Sequence, residues 1–155
     1  MVNRDYQAVG YPSQYFVAQM IAKEWVQPVD ATHQLFKASS DITDASGNLL
    51  VTAYPIQRPF GSWSVMLVNR DQDHDHPVKV DFANAESAQH SFFTGSVAQI
   101  TFGQAQFQWH PGADMGRAHP DGPPLRSTVN GGADTLYELP KASVTVLCGN
   151  IGVGR

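Results

Sequence analysis

Glycine and proline interrupt this sequence so often that the chain can form few long regular elements. Thirteen Gly and ten Pro occur among its 155 residues, spread along most of the length. Glycine adopts backbone angles closed to other residues, and proline fixes its own φ and lacks an N–H donor, so both mark turns. The pattern predicts short strands joined by many turns rather than a helical domain.

One segment departs from this pattern and predicts a helix over residues 13–25. Its apolar residues recur at spacings of three and four, which places them on one face: Phe16, Val17, Met20, Ile21 and Trp25. Pro12 and Ser13 favour a helix start, and Pro28 prevents continuation. Because the apolar face must be buried, we expect the helix to fold back onto a sheet or to form a homodimer.

From Leu49 onward the apolar period changes to two, which is typical of strands. Residues 49–58 and 63–69 predict a hairpin, with a turn at residues 59–62. Residues 78–82 alternate strictly between apolar and polar, which predicts a strand with one buried and one solvated face. Further short strands are predicted at residues 97–102, 107–109, 135–139 and 143–147.

The strand spacing predicts an all-β fold, an antiparallel sandwich of immunoglobulin-like or jelly-roll-like type with one N-terminal α-helix. Residues 111–132 contain almost no apolar residues and predict a long loop, and residues 149–155 predict a tail after the last strand. With no linker to divide it, the chain is interpreted as one domain over residues 1–155, with the sandwich at 33–149.

Charge and hydropathy exclude several classes of partner. Ten Lys and Arg against fourteen Asp and Glu give a net charge of -4, so no basic field is available for a phosphate backbone, and no nucleic acid is expected. No apolar run approaches the ~18 residues of a membrane span, so no membrane partner is expected. The N-terminus lacks a signal-peptide segment, and the localisation stays open.

The single cysteine, Cys148, excludes an internal disulfide and predicts a small buried thiol.

Several segments, taken in order, resemble a known family. Residues 61–71, 76–82, 102–109, 120–124 and 137–147 are similar to the C-terminal β-sandwich of bacterial clan-A glycoside hydrolases. The nearest are xylosidase-like or arabinofuranosidase-like enzymes, including those related to family thirty-nine. One departure is Phe60, which stands where relatives often have a polar turn residue and could add an exposed aromatic.

In those enzymes a (β/α)8 barrel precedes the sandwich and carries both catalytic glutamates. A barrel takes ~250 residues and cannot fit in this chain. Residues 13–25 resemble the last helix of such a barrel. The resemblance therefore implies a noncatalytic accessory domain whose role is structural support of a catalytic module or weak glycan contact. Its partner would be a catalytic barrel module or a second copy docked through Phe16, Met20, Ile21 and Trp25. The related full-length enzymes are often secreted.

The residues themselves give little sign of an enzyme. Glycoside hydrolysis needs a pair of carboxyl groups, but the only glutamates, Glu24, Glu86 and Glu138, fall in a predicted helix, a loop and a strand. The eleven aspartates lie mostly in turns, where Asp bonds its own backbone. No G-x-S-x-G or phosphate-loop motif occurs, and no organic cofactor is expected.

A dense acidic and histidine-rich stretch is the candidate metal site. Asp73, His74, Asp75 and His76 could offer oxygen and nitrogen donors to a divalent ion. The alternative is a solvated hairpin loop, because the Gly and closing Glu of an EF-hand are absent. A small hydrolase or metal-binding protein that uses this loop is therefore the second alternative function.

Aromatic residues near the predicted strands are the candidate carbohydrate site. Sugar C–H faces stack on planar rings, while polar side chains bind the hydroxyls. The candidates are Tyr54, Phe60, Trp63, Phe107, Trp109, His110 and Asp114, with Gln106 and Gln108 as polar neighbours. They suggest a freestanding module that binds a plant cell-wall polysaccharide. The alternative is that Phe107 and Trp109, which share one face in a strand, are simply core.

Overall fold

The computed structural model describes residues 10–112 and 116–153 of the chain. One helix, α1 (Ser13–Met20), comes first. The strands follow in the order β1 (Gln34–Leu35), β2 (Val51–Gln57), β3 (Trp63–Asn69), β4 (His76–Val78), β5 (Phe82–Ala83), β6 (His90–Phe102), β7 (Phe107–His110), β8 (Arg117–Asp121), β9 (Leu125–Gly131), β10 (Tyr137–Leu139) and β11 (Ser143–Val153). Every strand pairing is antiparallel.

The predicted helical segment is confirmed over its full length, but its last turn widens. After α1 the chain continues as a π-helix at Ile21–Trp25, where the Val26 N–H donates to the Ile21 carbonyl at 2.9 Å. Phe16 and Met20 are buried against Ile100, Phe102 and Val146 of the sheet. The helix therefore folds back onto the sheet, which is one of the two predicted arrangements, and docking of a second protein on it stays a prediction. No helix in the described ranges is long and apolar enough to cross a membrane.

A large antiparallel sheet forms the body of the molecule. Its strands lie in the order β1-β2-β3-β11-β6-β5, and β9 also pairs with β6. The predicted hairpin is confirmed, because β2 and β3 pair from Val51 opposite Asn69 to Gln57 opposite Trp63. The Pro59–Gly61 turn between them leaves Phe60 exposed.

The two faces of the sheet carry two separate cores. The first core lies on one face and holds Val65, Phe93 and Leu147, to which the two-stranded sheet formed by β4 and β10 adds Val78 and Leu139. The second core lies on the other face and holds Ile100, Phe102 and Val146, which are covered by the helix and by Phe107 of β7. The fold is thus all-β and sandwich-like, as predicted, with a helix on its outer side.

Three predictions about where strands lie were wrong: a loop, a single strand and a tail. Residues 111–132 are not one long loop, because they contain β8 and β9; β9 is an edge strand with mostly exposed side chains, so it carries little apolar alternation. Residues 78–82 form the end of β4 and the start of β5 rather than one strand. The predicted tail is mostly strand, since β11 continues to Val153 past a bulge between Cys148 and Asn150.

Tyr137 places a hydroxyl in the first core without a visible partner. The side chain is 2% exposed, and its hydroxyl has no hydrogen-bond partner among the described residues. Burial raises the pKa of this phenol. The neighbouring ring is Phe93, whose centroid lies 6.2 Å away in an edge-to-face arrangement. The hydroxyl therefore loses its hydration on folding and gains no bond in return.

We expect Tyr137→Phe to raise the free energy of unfolding by about 1 kcal/mol, because the substitution removes an unpaired buried hydroxyl. Chemical denaturation measures the change. Tyr54→Phe, at a half-exposed position on the other face of the sheet, is the matched control and should be neutral. A loss of stability at position 137 would mean that the hydroxyl has a bonding partner in solution.

Candidate functional site

A groove of about 830 Å³ lies beside the start of α1, where β3, β6, β7 and β11 approach one another. Its base is apolar and includes Val17, Phe102 and Val144. Phe107 of β7 also lines it and packs on Phe102 and Phe16, with ring centroids 5.9 and 6.3 Å away. The second core therefore continues into the base of the groove.

A tight turn between β6 and β7 sets this geometry. The N–H groups of Gln106 and Phe107 both donate to the Gly103 carbonyl at 3.0 Å, and the Gly103 N–H donates to the Gln106 side chain. The turn reverses the chain directly after Phe102 and lays β7 back over the core. Gln106, predicted as a polar neighbour of a sugar, instead uses its side-chain oxygen to hold this turn.

Trp109 forms one wall of the groove and is 48% exposed. A register shift between Phe107 and Trp109 separates the two, so that Phe107 packs into the core while the indole of Trp109 stays accessible. The indole lies against Gly116, where a Cβ atom would overlap its ring. The indole of Trp109 can therefore pack against the backbone at Gly116 only because glycine has no side chain.

Polar side chains complete the lining. Gln104 and Gln108 come from the turn before β7 and from β7 itself, while Arg70 and Gln72 come from the loop that follows β3. All four residues are exposed. An aromatic wall, amide groups and a guanidinium thus surround one apolar base.

The loop after β3 is held by two buried polar residues, Asn69 and Asp71. The Asn69 amide donates to the carbonyls of His74, Leu139 and Pro140 at 3.0 to 3.2 Å, and its oxygen accepts the Asp71 N–H at 3.0 Å. The Asp71 carboxylate is 10% exposed and accepts the N–H groups of Asp73 and His74. These bonds fix the backbone that carries Arg70 and Gln72.

Asp71 also contacts two of the predicted metal ligands. Its Oδ2 lies 3.2 Å from His74 Nδ1 and 3.0 Å from His76 Nε2. The Asp73 N–H, followed by His76 and His74, lowers the pKa of Asp71 to about 2, against the opposing effect of desolvation. The carboxylate is therefore a charged acceptor at neutral pH.

The four predicted metal ligands do not converge on one point. His74 and His76 bond Asp71, whereas Asp75 accepts the N–H of Lys141 at 2.8 Å. Within residues 10–112 and 116–153, no group of three or more His, Cys, Asp or Glu side chains is arranged to hold a metal ion. The structure gives these residues a role in loop geometry, and binding of an added metal stays a prediction.

The predicted carbohydrate residues are dispersed over the molecule. Tyr54 and Trp63 lie on opposite faces of the β2–β3 hairpin, because Trp63 is opposite Gln57 and Tyr54 is three residues from it. Trp63 packs between Phe36 and Phe82 in the first core. Phe60 is isolated at its turn.

Only part of the predicted set meets at the groove, namely Phe107, Trp109 and Gln108. His110 lies beside them on β7 and faces His119 of β8, with ring centroids 6.5 Å apart. Asp114 lies outside the described residues. Sequence reasoning missed Arg70, Gln72 and Gln104; their one signal is that each lies within three residues of the end of a strand, where exposed polar residues gather.

The glutamates and the cysteine considered as catalytic groups either bond to other residues or lie on different elements. Glu24 pairs with Arg126, Glu86 lies in an exposed turn, and Glu138 lies on β10. Cys148 donates to the Glu24 carbonyl at 3.2 Å and accepts from the Arg58 guanidinium at 3.1 Å. Burial raises the pKa of this thiol to about 11, so it stays protonated at neutral pH.

Comparison with known proteins adds a distant likeness. No family model and no curated protein match the chain. Among solved structures it is similar to part of the thermostable GH51 α-L-arabinofuranosidase from Thermotoga petrophila RKU-1, at 14% identity and a TM-score of 0.37. The match covers 66% of this chain and 19% of the arabinofuranosidase, so the chain spans about a fifth of that protein's length.

Proposed function

We propose that this chain is a noncatalytic accessory β-domain of glycoside-hydrolase type that binds a glycan chain in the groove. The observation that carries the proposal is the half-exposed indole of Trp109, held against Gly116 beside the amides of Gln104 and Gln108. The ring supplies a flat apolar surface for a sugar face, and the amides both donate to and accept from hydroxyls. A plant cell-wall polysaccharide has this chemistry along its whole length.

The lining also supports the noncatalytic part of the proposal. It consists of apolar side chains, amides, hydroxyls and one guanidinium among the described residues, whereas glycoside hydrolysis needs two positioned carboxyl groups. We therefore expect binding without turnover. Assays on nitrophenyl xyloside and nitrophenyl arabinofuranoside measure turnover, and activity that persists through rigorous purification would contradict this part.

We expect Trp109→Ala to weaken glycan binding roughly tenfold, a loss of about 1.4 kcal/mol, because the sugar face loses its apolar surface. Affinity electrophoresis against xylan, arabinoxylan and cellulose identifies the ligand, and calorimetry gives the dissociation constant. The melting temperature should stay close to that of the parent, since the indole is half exposed.

Two further variants sharpen this test. Gly116→Ala keeps the indole but displaces it from its position against residue 116, and should also weaken binding. Phe60→Ala removes an exposed aromatic that does not line the groove and should leave binding unchanged. Failure to bind any plant cell-wall polysaccharide, neutral or acidic, or equal binding by Trp109→Ala and the parent, would overturn the proposed function.

A further inference from the structure

Arg70 is the one charged residue in the described lining of the groove. Its backbone is fixed directly after β3, where its N–H donates to the Leu50 carbonyl at 2.8 Å. Its side chain is exposed, and the guanidinium has no hydrogen bond or ion pair to any residue in the described ranges. Its five donors are thus available to a ligand.

Two of the other three arginines in the described ranges are engaged by contacts within the fold, whereas Arg117 of β8 is exposed. Arg58 donates to the Trp25 carbonyl and to Cys148 Sγ, both at 3.1 Å, and fixes the end of the helical segment. Arg126 pairs with Glu24. Against this background, the open guanidinium of Arg70 stands out because it lies on the wall of a groove rather than on the open surface.

The neighbouring acid does not pair with Arg70. Asp71 is next in sequence, but both of its carboxylate oxygens are occupied by the N–H groups of Asp73 and His74 and by the rings of His74 and His76. Its side chain is largely buried under that loop. The Arg70 guanidinium therefore remains available to a ligand in the groove, where the ligand would displace water around it.

We propose that the groove selects glycans whose sugars carry a carboxylate, and that Arg70 is the residue that recognises this group. This inference rests on the proposed function and specifies its ligand. A guanidinium matches a carboxylate with two parallel N–H···O bonds. Gln72 lies beside Arg70 and can bind the hydroxyls of the same sugar, while Trp109 of β7 supplies the stacking surface.

The test compares one glycan in charged and neutral forms, using oligogalacturonate and its methyl ester. The parent protein should bind the charged form about fivefold more tightly, and this preference should shrink at high salt because a partly exposed ion pair is screened. Arg70→Gln should remove the preference, so that this variant binds the charged form and the methyl ester with equal affinity. Arg117→Gln, on exposed β8 outside the groove lining, is the matched control and should retain the preference.

The outcomes separate the two proposals. Equal binding of both forms by the parent, or a preference that survives in Arg70→Gln, would overturn the carboxylate inference and leave the glycan groove standing. Binding of neither form, together with no retardation by the neutral polysaccharides, would overturn the proposed function itself. A sulfated galactan of equal length bound as tightly as oligogalacturonate would overturn the selection for carboxylate over other anions.

Discussion

Met20→Ala is expected to lower the free energy of unfolding by about 3 kcal/mol, because it removes a buried side chain and leaves a cavity between helix and sheet. Met20 is 1% exposed and packs in the second core with Ile100, Phe102 and Val146. Phe16 of the same helix also packs into this core, which limits the shift that could fill the gap. Denaturant titration followed by tryptophan fluorescence and circular dichroism measures the loss.

Leu136→Ala provides the control for this experiment. Leu136 is an apolar residue of similar size that is 57% exposed, and its truncation should change stability by less than about 0.5 kcal/mol. Equal stability of Met20→Ala and the parent would show that the helix does not dock on the sheet in solution. A loss that varies with protein concentration would instead point to a second copy covering the helix face.

Asn69→Ala is expected to cost about 3 kcal/mol, because one buried side chain makes four hydrogen bonds and each orphaned partner loses its compensation for desolvation. Asn69 is 2% exposed, and it joins the loop after β3 to the carbonyls of Leu139 and Pro140 at 3.2 and 3.0 Å. Without it the loop that carries Arg70 and Gln72 loses its anchor. Glycan affinity should therefore fall together with stability.

Asn69→Asp is the matched variant, since it keeps the shape and the acceptor of the Asp71 N–H but loses the amide donor. We expect it to be as destabilised as Asn69→Ala. Asn48→Ala, in an exposed turn where Asn48 bonds Asp44, should cost less than about 1 kcal/mol. If Asn69→Ala matched the parent in denaturant titration, the loop would have to be held by other contacts.

The parts of the fold that could be predicted from sequence rest on local signals. Spacings of three and four in residues 13–25 mark a helix, and alternation on both sides of Pro59 marks a hairpin; both exist because backbone periodicity alone decides which residues share a face. The edge strand β9 could not be found in this way. Its stability comes from backbone pairing with β6, which requires no apolar side chains.

The candidate site was predictable only in part. Phe107 and Trp109 alternate identically in sequence, yet a register shift and the gap at Gly116 leave one in the core and the other half exposed. Trp63 carries the same aromatic signal as Trp109, but Phe36 and Phe82 pack around it. The exposure of an aromatic side chain depends on which distant residues pack over it, and the local sequence around that side chain does not specify those residues.

By itself, the sequence determined that the chain forms antiparallel strands with one helix, because its frequent glycines and prolines and its apolar periods act over a few residues. Only the tertiary structure decided that Arg70, Gln104 and Trp109 border one groove. They meet because β11 lies between β3 and β6, which brings the loop after β3 to the same end of the sheet as the turn after β6. That strand order depends on burying both faces of the sheet together, which is a property of the whole chain.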